Sequence, residues 1–100
     1  MDRDKLAAQL GFKRTDIDML IGIFIKNSKS SLEEMHKMIR QNNMQGIADT
    51  AHAIKGSAGN LKLNEIFELS KSIEIMAKTM KNEEYEAHYK QLNNMLDKLN

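Results

Sequence analysis

The chain has 100 residues, enough for one domain with a single hydrophobic core, and its net charge of +1 gives no reason to expect nucleic-acid binding. It contains no cysteine, which excludes disulfides, thiolate metal sites and cysteine nucleophiles, and it contains no proline. Residues compatible with helices dominate, so the composition predicts an all-α domain over residues 1–100. The longest apolar run, Met19 to Ile25, is too short to cross a bilayer, and the amino terminus lacks a signal pattern. We therefore expect a cytoplasmic protein that does not bind membranes.

Two helices are predicted in the first part of the chain. A short first helix covers Asp2 to Gln9 and ends at Gly11. Thr15 is expected to cap a second helix of about 26 residues, along which apolar side chains recur three and four positions apart. This stripe consists of Ile17, Leu20, Ile21, Phe24, Ser28, Leu32, Met35 and Ile39.

Three further helices follow after short connections. Residues 41–43 are predicted to form a turn before a third helix over residues 45–59, and Asn64 and Asn82 are expected to cap the fourth and fifth helices. The apolar stripes are Ile47, Ala51, Ile54, Ala58 and Leu61, then Ile66, Leu69, Ile73, Met76 and Met80, then Tyr85, Tyr89, Leu92, Leu96 and Leu99. Four one-sided helices with short connections predict an antiparallel up-down-up-down four-helix bundle, with the short first helix covering one end.

A row of chemically distinctive residues lies beside the apolar stripe of the third helix. His52, Lys55 and Gly56 occupy positions i, i+3 and i+4, which share one helix face, and Ala48 and Gly59 extend the row in the two directions. A neutral imidazole is nucleophilic near neutral pH, and a neighbouring lysine would offset the charge of an anion on the ring. The row therefore suits a histidine that carries an anionic group.

Gly56 indicates that this face has a special requirement. A glycine in mid-helix costs roughly 1 kcal/mol relative to alanine, so its presence needs a compensating reason. Either another helix packs closely against Gly56, or a partner must approach the imidazole of His52. The spacing alone leaves both explanations open.

The fourth helix is expected to supply groups that face His52. It should run antiparallel to the third helix, which brings His52 near residue 72. Lys71, Glu74 and Lys78 lie beside the apolar stripe of that helix, as candidates for contact with the imidazole or for docking of a partner. Glu74 could accept a hydrogen bond from one ring nitrogen and fix the tautomer. The alternative is that these three residues form a solvated charged face.

The string AHAIKGSAGNL at residues 51–61 resembles the H-x-x-K-G-S-x-x-N/L core of histidine-phosphotransfer (HPt) domains of two-component phosphorelays. The resemblance extends from the long second helix through the last helix. It implies that His52 is the phosphoacceptor, Lys55 its charge partner and Gly56 the position that gives access. The chain departs from the family at Lys62, where many members have glycine, which puts the geometry of that turn in question.

The resemblance also implies a function and its partners. An HPt domain would accept a phosphoryl group on His52 from a receiver-domain aspartyl phosphate and pass it to another receiver aspartate. It would be a phosphoryl carrier and not an enzyme, and the chain has no P-loop, kinase loop or glycine-rich nucleotide motif. The implied partners are response-regulator receiver domains, with a hybrid histidine kinase as a further candidate. No cofactor would bind to this domain, while Mg²⁺ is expected on the partner receiver during transfer.

Two rival functions remain open from the sequence. The chain could be a non-catalytic helical interaction module in which His52 is incidental, or the phosphoacceptor segment of a larger histidine kinase. Glu33-x-x-His36 resembles half of a di-iron motif, but the residue three positions before His88 is Tyr85, so the second half is missing. We therefore expect no metal site.

Overall fold

A computed structural model describes residues 2–79 and 85–99, and within these ranges the chain forms five α-helices and no strand. They are α1 (Arg3–Leu10), α2 (Arg14–Arg40), α3 (Met44–Asn60), α4 (Asn64–Lys78) and α5 (Tyr85–Asp97). The prediction of an all-α fold is confirmed. None of the helices in these two ranges is long and apolar enough to span a membrane. The predicted positions of Met80 in a stripe and of Asn82 as a cap lie outside the described residues.

The four long helices form the predicted antiparallel bundle. Each of α2, α3 and α4 packs against the next helix in the chain, and α5 closes the arrangement against α2. The 27 residues of α2 correspond to about 40 Å of helix, close to the longest dimension of the domain, 42 Å. The short helix α1 packs on α2, and Arg3 bonds to the carboxylate of Asp18 and to the carbonyl oxygen of Leu99. Thus α1 covers one end of the bundle.

The predicted apolar stripes form the core. Within the described residues, the buried members are Ile17, Ile21, Phe24, Ser28, Leu32, Met35, Ile47, Ala51, Ile54, Ala58, Leu61, Ile66, Leu69, Ile73, Tyr85, Leu92 and Leu96. Partly buried members pack at the edge of this core, namely Leu20, Ile39, Met76, Tyr89 and Leu99. The helical period of the sequence therefore identified the interior, since one face of each helix has to leave water.

Two predicted helix caps are wrong. The second helix begins one residue before Thr15, because the carboxylate of Asp16 accepts a hydrogen bond from the backbone N–H of Lys13 at 3.2 Å and draws the start of the helix towards that residue. Asn64 is the first residue of α4 and not its cap; Leu63 takes the cap position and makes no side-chain capping hydrogen bond. By contrast, Gly11 ends α1 as predicted, with a φ of 72°.

The turn between α3 and α4 is closed by backbone hydrogen bonds, although a lysine lies at its centre. Lys62 has a φ of 56°, in the left-handed region where glycine has no steric cost and a lysine does. Its backbone N–H donates to the carbonyl of Gly59 at 3.1 Å, and the N–H of Leu63 donates to the carbonyl of Ala58 at 2.9 Å. These bonds close the end of α3, so the departure from glycine leaves the turn intact.

Candidate functional site

His52 lies at the edge of the interface between α3 and α4. The preceding residue, Ala51, is completely buried in the core, whereas 65% of the His52 side chain is exposed. Adjacent residues of a helix are separated by about 100° of rotation, which carries His52 from the core side to the rim. The predicted edge position is therefore what the structure has, and the ring is open to a large partner.

The group that faces His52 is the carboxylate of Glu74 on α4. Its oxygen Oε2 lies 2.8 Å from Nδ1 of His52, and its oxygen Oε1 lies 2.6 Å from Nζ of Lys55. Nζ of Lys78 approaches Oε2 at 3.2 Å. Only 5% of the Glu74 side chain is exposed, so the idea that it belongs to a solvated charged face is wrong for this residue.

These contacts keep Glu74 ionised and thereby fix the tautomer of His52. The hydrogen bond from Lys55 lowers the pKa of Glu74 to about 2; burial opposes this effect, and the bonds from Lys78 and His52 add to it. An ionised carboxylate can only accept hydrogen bonds, so Nδ1 of His52 must donate its proton to Oε2. In the neutral ring, the other nitrogen, Nε2, then carries the lone pair.

The two glycines of the α3 row have different surroundings. A Cβ atom added at Gly56 would meet no atom of a described residue within 4 Å, and the residue is exposed. Close packing of another described element is therefore not the reason for this glycine. A Cβ atom added at Gly59 would lie 3.3 Å from the ring of Phe67 on α4, so this glycine allows the two helices to approach.

Two other predicted candidates, Ala48 and Lys71, form no hydrogen bond or ion pair with Glu74. Ala48 is a core residue, only 4% exposed, and cannot serve as a docking contact. The reason is that four residues turn the helix by about 400°, which rotates Ala48 about 40° from His52 towards Ala51. Lys71 is exposed and forms no ion pair with a described residue. Of the candidates on α4, Glu74 thus contacts the histidine, Lys78 contacts Glu74, and Lys71 bonds to neither.

An apolar groove between α2 and α3 was not identified from the sequence. Phe12 and Ile23 are about half exposed, and they line a groove of about 490 Å³ together with Ala53 and Ser57 of α3. Met19, one turn before Ile23 on α2, is also exposed. The sequence did indicate an exposed apolar patch here, because Met19 and Ile23 are apolar at i and i+4 but fall outside the buried stripe of their helix.

The described part of the chain contains no group of three or more His, Cys, Asp and Glu side chains that could hold a metal ion. The half motif at Glu33 and His36 has another explanation. Nε2 of His36 lies 3.0 Å from a carboxylate oxygen of Glu86, and the ring stacks on Tyr89 with a centroid distance of 4.6 Å. These contacts attach α2 to α5.

Comparison with known proteins finds one matching family. A family model described as Hpt domain matches residues 19–100. No curated protein and no solved structure matches the chain. The matched range contains α3, α4 and the three side chains that contact Glu74.

Proposed function

The chain belongs to the Hpt domain family, which carries phosphoryl groups on histidine in two-component phosphorelays, and we propose that its phosphoacceptor is His52. One observation carries this assignment. Nδ1 of the exposed His52 ring donates to the buried carboxylate of Glu74, which leaves the lone pair on Nε2. In the neutral ring, the nucleophilic atom is thus defined before a partner arrives.

The proposed relay begins when a receiver domain presents an aspartyl phosphate to Nε2 of His52. The P–O bond to the aspartate breaks, the N–P bond forms, and the aspartate leaves as a carboxylate with the electron pair of the broken bond. The ring retains its proton on Nδ1 and becomes a phosphorylated imidazolium, which the carboxylate of Glu74 stabilises at 2.8 Å. The reverse step delivers the phosphoryl group to the aspartate of a second receiver.

Lys55 and Gly56 suit this transfer for different reasons. Transfer of phosphoryl groups depends mainly on positioning and on electrostatic stabilisation. Lys55 binds the same carboxylate as His52, and 23% of its side chain is exposed. Its ammonium group is therefore our candidate for the cation that offsets the charge of a phosphoryl group on the ring. Gly56 presents no side chain on the open side of the row.

We propose that the docking partners are receiver domains, and that Mg²⁺ is bound by the receiver during transfer. The groove beside the row supports such docking, because Ala53 and Ser57 line it and directly follow His52 and Gly56 in the chain. Exposed Phe12 and Ile23 add apolar area to the same side. The metal is expected because charge neutralisation assists phosphoryl transfer, and a receiver's acidic pocket would supply its ligands.

The test is transfer of ³²P from a phosphorylated receiver to the intact chain and to two matched variants. His52→Gln should take up no label, whereas His36→Gln should behave like the unmodified chain, because His36 lies on α2 and contacts α5 instead of Glu74. The label should be labile in acid and stable in base, as a phosphoramidate bond is. Label that persists on His52→Gln, or that resists acid, would contradict the assignment.

The same experiment separates the two rival functions. A helical interaction module would bind the receiver without taking up label. A segment of a larger histidine kinase would take up label from an ATP-fed kinase domain and none from the phosphorylated receiver.

A further inference from the structure

The side chains around Glu74 carry one more positive charge than the buried carboxylate requires. Lys55 and Lys78 are both cations and Glu74 is an anion, and the ring of His52 has to be neutral to attack phosphorus, so the reacting group has one net positive charge. The ion pair with Lys55 at 2.6 Å already neutralises the carboxylate. The presence of Lys78 on the same carboxylate therefore needs a separate explanation.

Phosphorylation of His52 would explain the extra positive charge of Lys78. The transferred PO₃ unit brings one net negative charge, which divides into a doubly negative phosphoryl group and a positive imidazolium ring. With Lys78 in place, the group of side chains and its phosphoryl group are neutral together. Without Lys78, the same group would hold one uncompensated negative charge beside a buried carboxylate.

The two lysines also have different positions relative to the ring. Lys55 lies on α3, three residues after His52, and binds Oε1. Lys78 lies on α4, four residues after Glu74, and binds Oε2, the oxygen that also accepts the His52 hydrogen bond. If Lys55 left Oε1, Glu74 would therefore keep two donors on Oε2, and the ring would keep its orientation.

From this arrangement we propose that Lys78 is a positioning residue for phosphotransfer, a role that rests on the proposed function of His52. Lys78 holds and neutralises Glu74 so that Lys55 can turn from Oε1 to the phosphoryl group. Glu74 then loses its ion pair with Lys55 and keeps the one with Lys78, while its hydrogen bond from Nδ1 of His52 persists. If the pair of Glu74 and Lys78 were an ordinary exposed i, i+4 ion pair, it would stabilise the helix slightly and would not affect the reaction.

The experiment uses phosphoramidate, a small phosphoryl donor that needs no receiver, with ³¹P NMR on the intact chain. The variants are Lys78→Gln, Lys78→Arg and, as a matched control, Lys71→Gln. Lys71 lies on the same helix, is exposed and forms no ion pair with a described residue. Lys71→Gln removes one positive charge, as Lys78→Gln does, but it leaves the contacts of Glu74 unchanged.

Lys78→Gln should become phosphorylated about fivefold more slowly, since Lys55 would then have to leave a Glu74 carboxylate that has lost its second cation. A unit charge about 4 Å from a carboxylate in a water-like dielectric has an effect of that size. Lys71→Gln should stay within about twofold of the unmodified chain, because a solvated, more distant charge is screened. Lys78→Arg should restore the rate, because a guanidinium can occupy the same place on Oε2. In the phosphorylated Lys78→Gln variant, the ³¹P signal should also titrate at higher pH, because the dianion has lost a cation nearby.

Two results would overturn the inference. One is a rate and ³¹P titration of Lys78→Gln that match the unmodified chain. The other is an equal change in Lys71→Gln, which would mean that only the overall charge of α4 matters. Because phosphoramidate replaces the receiver, normal labelling of His52 with no transfer from a receiver would contradict the proposed partner and leave this inference standing. Labelling of another residue instead of His52 would overturn both.

Discussion

Replacement of Glu74 by glutamine tests whether the buried carboxylate organises the site. The side chain faces three donors, Nδ1 of His52 and the ammonium groups of Lys55 and Lys78. A glutamine offers one accepting oxygen and one donating amide group, so it cannot accept from both sides of the carboxylate. If its oxygen faces His52, its amide hydrogens oppose Lys55, and a partly buried cation loses its partner.

The magnitude follows from the pKa of Glu74, which is lowered from an ordinary value of 4.5 to about 2. At 1.36 kcal/mol per pH unit, the ionised form contributes about 3 kcal/mol to the free energy of unfolding. Because the folded-state pKa is the lower one, this contribution is fully present above pH 4.5 and is lost as the pH falls through about 2. We therefore expect Glu74→Gln to lose about 3 kcal/mol at pH 7, with a difference that disappears towards pH 2.

Urea unfolding followed by circular dichroism at several pH values between 7 and 2 would measure this difference. Glu68→Gln is the matched control, since Glu68 is an exposed residue of α4 that forms no ion pair with a described residue. Its substitution should have little effect at any pH. A destabilisation by Glu74→Gln that is equally large at pH 7 and at pH 2 would refute the reasoning, because it would come from packing and not from the charge.

Three further predictions concern single positions and a metal. Gly56→Ala should stabilise the domain by about 1 kcal/mol in urea unfolding, because an added Cβ meets no atom of a described residue within 4 Å. Gly56→Gln should instead slow transfer from a phosphorylated receiver. Equal transfer rates for the glycine and glutamine forms would reject access as its role. Ser70→Ala should raise the free energy of unfolding by about 1 kcal/mol, because its hydroxyl is fully buried and has no hydrogen-bond partner among the described residues; a lower stability would show that the hydroxyl is bonded. Transfer should require Mg²⁺, yet calorimetry should detect no tight Mg²⁺ binding to the unphosphorylated chain alone. Tight binding would contradict the proposal that the receiver holds the metal.

The apolar stripes and the order of the helices could be predicted from the sequence because both depend on local periodicity. Residues three and four positions apart share a helix face whatever the rest of the chain does, so the core and the row of His52, Lys55 and Gly56 follow from spacing alone. The helix ends were less predictable. A start is decided by which side chains reach free backbone N–H groups, and Asp16 accepts from the N–H of Lys13, two residues before the expected cap at Thr15.

The register between α3 and α4 was decided only by the tertiary structure. Simple reflection across the turn placed His52 opposite residue 72, whereas the carboxylate that meets it belongs to Glu74. A shift of two residues turns a helix by about 200°, so the spacing could not say which polar side chain of α4 would be buried and which would face water. Packing of the two helices set that rotation. It removed Glu74 from solvent, joined it to His52, Lys55 and Lys78, and left Lys71 outside, because a charge leaves water only where partners replace its hydration.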